Sequence, residues 1–327
     1  MGALTAPGQA RPAPPHPTST APRPTCEDAA KTPEDGTAMP SSATSRDTSF
    51  ETPEPITATV HVEAGSIRLV ATGRSDTTVE VRPRDAGKDQ DVRVAEQTDV
   101  TFLNNLLTVR TPKQRALFGR TGSVDVTVAL PTGSRAELTG AWAQIHGEGA
   151  LGEVRVKTSA GDVRLDSTGP LHVTASAGSV TVERVEGSAE ITTSNGSLRI
   201  GAVTGPAVLK NSHGTTSVAA ALGDLRVRGA NGDILVERAE GSVAATTAHG
   251  SVRIAEAVRG KAELETSYGS VEVGVRKGTA VWIDANSHAG QVVNALDSAE
   301  GPDEADATLE LRARTRFGTV EIRRARA

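Results

Sequence analysis

The sequence predicts an all-β protein built as a parallel β-solenoid, with about 18 residues and two strands per coil. Three observations carry that prediction. Glycine returns at positions 152, 161, 169, 178, 187, 196, 205, 214, 223, 232, 241, 250, 260, 269 and 278, so every second one lies 17 to 19 residues further on. A fixed period of this size marks a stack of structural repeats. The second and fourth residues after each glycine are mostly apolar, with polar residues around them, as at Leu198 and Ile200 after Gly196. Such period-two alternation is a strand with one face buried and one wet. Finally, only seven of the 327 residues are Phe, Trp or Tyr, so the core has to be thin and filled by Val, Leu, Ile and Ala.

Residues 1–49 read as a disordered tail. Nine of the 17 prolines fall within the first 40 residues, among Ala, Thr and Ser ("ARPAPPHPTSTAPRPT"). Such a segment cannot bury enough apolar surface to offset its ordering entropy. Met39 opens "MPSSATSRDTSFETPEPI" and is an alternative start of the translated chain. Residues 1–38 lack the apolar core of a signal peptide, and no apolar run approaches the ~20 residues of a membrane span. The expected compartment is therefore the cytoplasm, without membrane insertion.

From residue 50 onward the text reads as one β-solenoid domain running to 327. Residues 50–140 form its irregular part. "ITATVHV", "SIRLV", "TTVEVRP", "DVRVAEQ", "VTFLNNLLTVR" and "SVDVTVALP" all alternate and read as strands, with Gly, Pro, Asn and Asp in the joins. No amphipathic helix pattern of useful length is expected anywhere.

Residues 141–290 form the regular array of seven units. The inward pairs run from Val154/Val156 to Ala262/Leu264 in the first half of each unit, and from Val163/Leu165 to Val271/Val273 in the second. Glycine marks each corner, where positive φ or close stacking of coils excludes a side chain. Residues 291–327 hold an acidic insertion (Asp297, Glu300, Asp303, Glu304 and Asp306) and a closing strand. A solvated loop beside a solenoid end that needs shielding is the expected role of the insertion.

The repeat "TSxGxVxI" appears as "KTSAGDVRL", "TTSNGSLRI", "ATTAHGSVRI" and "ETSYGSVEV", flanked by "VDVTVALPTGSRAEL" and "RTRFGTVEIRR". On these stretches, across about residues 50–327, the chain resembles the bacterial putative-adhesin family, a β-strand-repeat domain of unknown function. The resemblance implies a β-solenoid and supplies no catalytic residues to carry over. A bacterial source also agrees with the 28 Arg against seven Lys, a bias of GC-rich genomes.

The residue before the second glycine of each unit forms a column, in which Asn195, His213, Asn231, His249 and Tyr268 make a candidate interaction ladder. Asn-Gly and His-Gly are also ordinary corner pairs, because Asn and His tolerate left-handed backbone. His213 and His249 are two coils apart, roughly 9.6 Å at ~4.8 Å per strand, too far to share an ion that wants nitrogens at ~2.0–2.1 Å. No carboxylate recurs at each corner as a calcium roll would require. The one cysteine, Cys26, excludes an intrachain disulfide and a thiolate metal site. Neither a metal nor a cofactor is expected. The neighbouring Thr158, Thr193, Asn211, Thr247 and Thr266 are expected to hydrogen-bond the corners.

A net charge of -5 and a pI near 5.9 argue against nucleic acid as partner. The function expected is a non-enzymatic binding or scaffold protein, a monomer or weak oligomer, that meets a protein or glycan. The alternative is a carbohydrate-active β-helical enzyme with its site near Trp142, Trp282 or the acidic insertion.

Overall fold

The computed structural model describes residues 46–112, 122–296 and 307–326, so the tail reading up to residue 45, with Met39, lies outside them. The chain begins with β1 (Arg46–Glu51), β2 (Thr57–Thr72), β3 (Asp76–Pro83), α1 (Asp89–Glu96), β4 (Asp99–Leu103), β5 (Leu106–Arg110), β6 (Val124–Pro131) and β7 (Arg135–Leu151). Seven two-strand coils follow. They are β8 (Val154–Ala160) and β9 (Val163–Thr168), β10 (Leu171–Ala177) and β11 (Val180–Val185), β12 (Ala189–Asn195) and β13 (Leu198–Val203), then β14 (Ala207–His213) and β15 (Thr216–Ala221). The rest are β16 (Leu225–Asn231) and β17 (Ile234–Ala239), β18 (Val243–His249) and β19 (Val252–Ala257), and β20 (Gly260–Tyr268) and β21 (Val271–Val275). The chain closes with β22 (Thr279–Ala289), β23 (Val292–Asn294), β24 (Ala307–Phe317) and β25 (Val320–Arg324).

The first strand of each coil pairs in parallel with the first strand of the next, and second strands do likewise, giving two walls. The register repeats with the sequence: Ile191 lies beside Leu209, and Leu209 beside Val227. Every inward pair from Val154/Val156 to Val271/Val273 is buried, with Thr216 the one polar member. Each fully buried Val, Leu or Ile contributes ~1.5–3 kcal/mol relative to exposure, so the narrow core is strong through repetition. No aromatic side chain is among its buried residues.

Glycine serves the two corners for different reasons. At Gly214 φ is +129°, and a Cβ would stand 2.2 Å from the Gly196 carbonyl oxygen. Gly223 has no such backbone constraint, yet a Cβ there would lie 2.6 Å from the Gly205 carbonyl oxygen. Backbone conformation excludes a side chain at the first, and the close stacking of coils excludes it at both.

The ends depart from simple stacking. β2 and β7 each run through both walls and pair along most of their lengths. Outside β2 lie β5 and β6, so the stack reads β5/β6, β2, β7, although β2 comes first in the chain. The other end does the same: β24 and β25 are threaded between β20/β21 and β22/β23.

Two readings of the irregular part need correction. "DVRVAEQ" is not a strand, and the expectation of no helix fails there: Asp89–Glu96 is α1. Its buried residues Asp91, Val94 and Ala95 follow a helical spacing. The sequence concealed this because the inward position of the first turn is an acid, which a hydrophobic pattern scores as outward. The Asp91 carboxylate accepts the backbone N–H of Asp85 at 3.2 Å and of Ser123 at 2.8 Å. "VTFLNNLLTVR" is not one strand but the antiparallel hairpin β4–β5. Asn104 and Asn105, with φ of 51° and 59°, make its two-residue turn, whose positive φ matches the strand twist.

Candidate functional site

The register sets the expected ladder in one line along a corner. Asn195 pairs with His213, His213 with Asn231, Asn231 with His249, and His249 with Tyr268. Strand parity would turn these side chains inward, but the chain is already bending at the next glycine and all five are exposed. The structure lengthens the line at both ends. Trp142 stands beside Ala160 on one side; Phe317 follows Tyr268 on the other, and Ala289 ends it.

Rings meet at two steps of the line, one tilted and one stacked. His249 and Tyr268 have centroids 4.9 Å apart at 54°, and Tyr268 and Phe317 are 4.9 Å apart and nearly parallel at 7°. Tyr268 is 52% exposed, Phe317 48% and Trp142 70%. The spacing is that of neighbouring strands, so the sheet itself holds the rings in contact. Aromatic pairs gain ~0.5–1.5 kcal/mol beyond the area they bury, so the contact between these exposed rings is favourable in itself.

Sequence reasoning missed Phe317 as a member because β24 lies outside the 18-residue beat. The signal was present: "RTRFGTVEI" aligns with "ETSYGSVEV", placing Phe317 where Tyr268 stands. Trp142, weighed only as part of an enzyme site, lies one repeat before Ala160.

Beneath the ladder runs a buried polar column. Thr247 donates its hydroxyl to the Gly232 carbonyl at 3.3 Å, Thr266 to Gly250 at 2.8 Å, and Thr315 to Gly269 at 2.9 Å. The Asn211 amide spans the Gly196 and Gly214 carbonyls at 3.1 and 3.0 Å. These bonds satisfy corner carbonyls that strand pairing leaves over, whereas Thr193, expected to do the same, is buried with its hydroxyl unbonded.

The charged groups are arranged as surface pairs. Three carboxyls lie below their ordinary values, each chiefly through a hydrogen bond from a cation: Asp76 from Arg74, Asp85 from Lys88 and Glu263 from Lys261. Among the described residues no three His, Cys, Asp or Glu side chains come together to hold an ion. A cleft of about 520 Å³ opens near the N-terminal end between Ile56, Asn104, Asn105, Gly133 and Arg135, and no acid or histidine lines it. Trp282 lies apart, on β22 at the C-terminal end, and Asp297, Glu300, Asp303, Glu304 and Asp306 fall outside the described residues. No described helix is long and apolar enough to cross a membrane.

Among solved structures, the chain is similar to a putative adhesin from Bacteroides fragilis at 11% identity, covering 86% of this chain and 98% of that one with a TM-score of 0.35. It is similar to a putative adhesin from Parabacteroides merdae at 11% identity, covering 70% and 96%, TM-score 0.42. A putative lipid binding protein from Parabacteroides distasonis matches at 10% identity, covering 87% and 98%, TM-score 0.41. No curated protein matches the chain. The model of one family, Toastrack DUF4097, matches residues 57–297. That span holds the array, its threaded N-terminal strands and the ladder from Trp142 to Tyr268, and the chain belongs to the Toastrack DUF4097 family.

Proposed function

We propose that the protein is a non-enzymatic binding module that presents its corner ladder, centred on His249, Tyr268 and Phe317, to a protein or glycan. The observation that carries this reading is the exposed, pre-stacked ring column on a rigid sheet. Exposed aromatic side chains on a fixed scaffold offer large contact area with little ordering cost, and polar neighbours such as Asn231 and His213 add hydrogen bonding at the rim.

The test is capture of partners from the native cell lysate by the full chain, alongside binding to a glycan panel and fractionation of the cells to place the protein. The control is the double variant Tyr268→Ala and Phe317→Ala. Capture that the double variant loses, with an unchanged melt, is the expected result. Capture indifferent to both substitutions, or release of sugar products from a polysaccharide, would refute the reading.

A further inference from the structure

Among the described residues, the outermost coil at the C-terminal end has a free edge. Among the described residues β22 has one neighbour, β24, and β23 has one, β25. The inward side chains Val281, Ile283 and Ala285 are only partly buried against the core. Trp282 is 59% exposed, with Val292 and Val293 at 45% and 43%. Exposed edges of this kind are normally blunted by charge, above all lysine, or by proline. Residues 279–296 contain a single charged side chain, Asp284, already paired with Arg314 at 3.3 Å, and they contain no proline. The inner strand β24, which is paired on both sides, carries Glu310, Arg312, Arg314 and Arg316. Among the described residues, the charges at this end are therefore carried mainly by a strand that is already paired on both sides.

We infer that this end pairs with the same end of a second copy of the chain, β22 against β22, antiparallel about a two-fold axis. A two-fold interface requires a patch that complements itself, and β22 meets that condition. Antiparallel pairing centred on Ala285 sets Asp284 opposite the copy's Asn286 and Trp282 opposite the copy's His288, so no like charges face each other. The same register brings the partly buried Val281 and Ile283 of the two copies over one another's open core. The unpaired N–H and C=O groups of the edge gain partners, as in strand addition generally. The edge meets the ring ladder only at Ala289, beside Phe317.

The experiment is sedimentation equilibrium and light scattering on the full chain over a concentration series, for the wild type, Trp282→Lys and Val293→Lys. Trp142→Lys, at the far end of the ladder, serves as control. Expected is a concentration-dependent dimer that each edge variant weakens roughly tenfold or more, about 1.4 kcal/mol. The control should not weaken it, and melts recorded at concentrations where the chain is monomeric should stay unchanged because these side chains are exposed. Two results would overturn the proposal. One is a monomer at every concentration, which leaves the edge to another occupant such as the chain's own acidic stretch. The other is a dimer that ignores both edge substitutions.

Discussion

At the N-terminal end the last parallel coil, β5/β6, is flanked by antiparallel strands β3 and β4, with β1 beyond β3. Helix α1 packs beside them, and Phe50 and Phe102 close over the core with ring centroids 5.0 Å apart. At the C-terminal end β22/β23 has no such cover among the described residues. Both ends face one difficulty: each coil of a parallel stack is a template for the next, so regular repetition contains no instruction to stop. The N-terminal end stops by reversing strand direction and adding a helix. The C-terminal end instead tucks the last strands, β24 and β25, inside the stack, which protects them and moves the open edge to β22 and β23. Threading pairs β24 and β25 on both sides without removing the edge.

Four measurements would break or sharpen that contrast. The largest effect is expected from truncation after Leu296, which removes β24 and β25 and with them buried Leu309, Leu311, Val320 and Ile322. At ~1.5–3 kcal/mol for each large side chain the loss is on the order of 6 kcal/mol or more. Hydrogen exchange should then show residues 279–296 unprotected. Retained protection would mean that β22 can dock directly on β20 and that threading is incidental. Next is one substitution made in two places. Ile200→Ala, in the middle of the array and 1% exposed, should cost ~2–5 kcal/mol. Ile283→Ala, in the open coil, should cost about 1 kcal/mol. Denaturant melts giving equal costs would show the last coil to be covered as fully as the middle.

Asp91→Ala tests the closed end. It removes the carboxylate that accepts the N–H groups of Asp85 and Ser123 and leaves a gap at a buried position, at about 1 kcal/mol or more, with exchange rising first in α1 and β3. Uniform loss across the array instead would show that the cap and the coils unfold as one unit. Acid should act weakly, at Asp76 and Asp85 on this end and at Glu263 on β20. Asp76 and Asp85 have folded values below the ordinary 3.8, so the stability they add is present above the unfolded pKa and fades as pH falls through the folded one. The Asp85–Lys88 pair is exposed and the Asp76–Arg74 pair half-buried, so salt should mask the first more than the second. Greater acid lability at β22–β23 than at β1–β3 would contradict it.

Much of the molecule was legible in the residues alone. The inward columns, the glycine corners and the ladder from Asn195 to Tyr268 follow from local rules. Alternation decides which face is wet, and the absence of Cβ decides where the chain can turn. These rules repeat every 18 residues, so seven units reinforce one reading. Helix α1 escaped because its first inward side chain is Asp91, an acid whose burial depends on backbone donors from Asp85 and Ser123. Phe317 escaped because its place beside Tyr268 depends on where β24 enters the stack. Coils join through backbone hydrogen bonds, which are nearly blind to side-chain identity, so any strand of suitable length and pattern fits at several levels. Which level it takes is set by the connections and by which apolar faces would otherwise stay wet, and only the tertiary structure decides that.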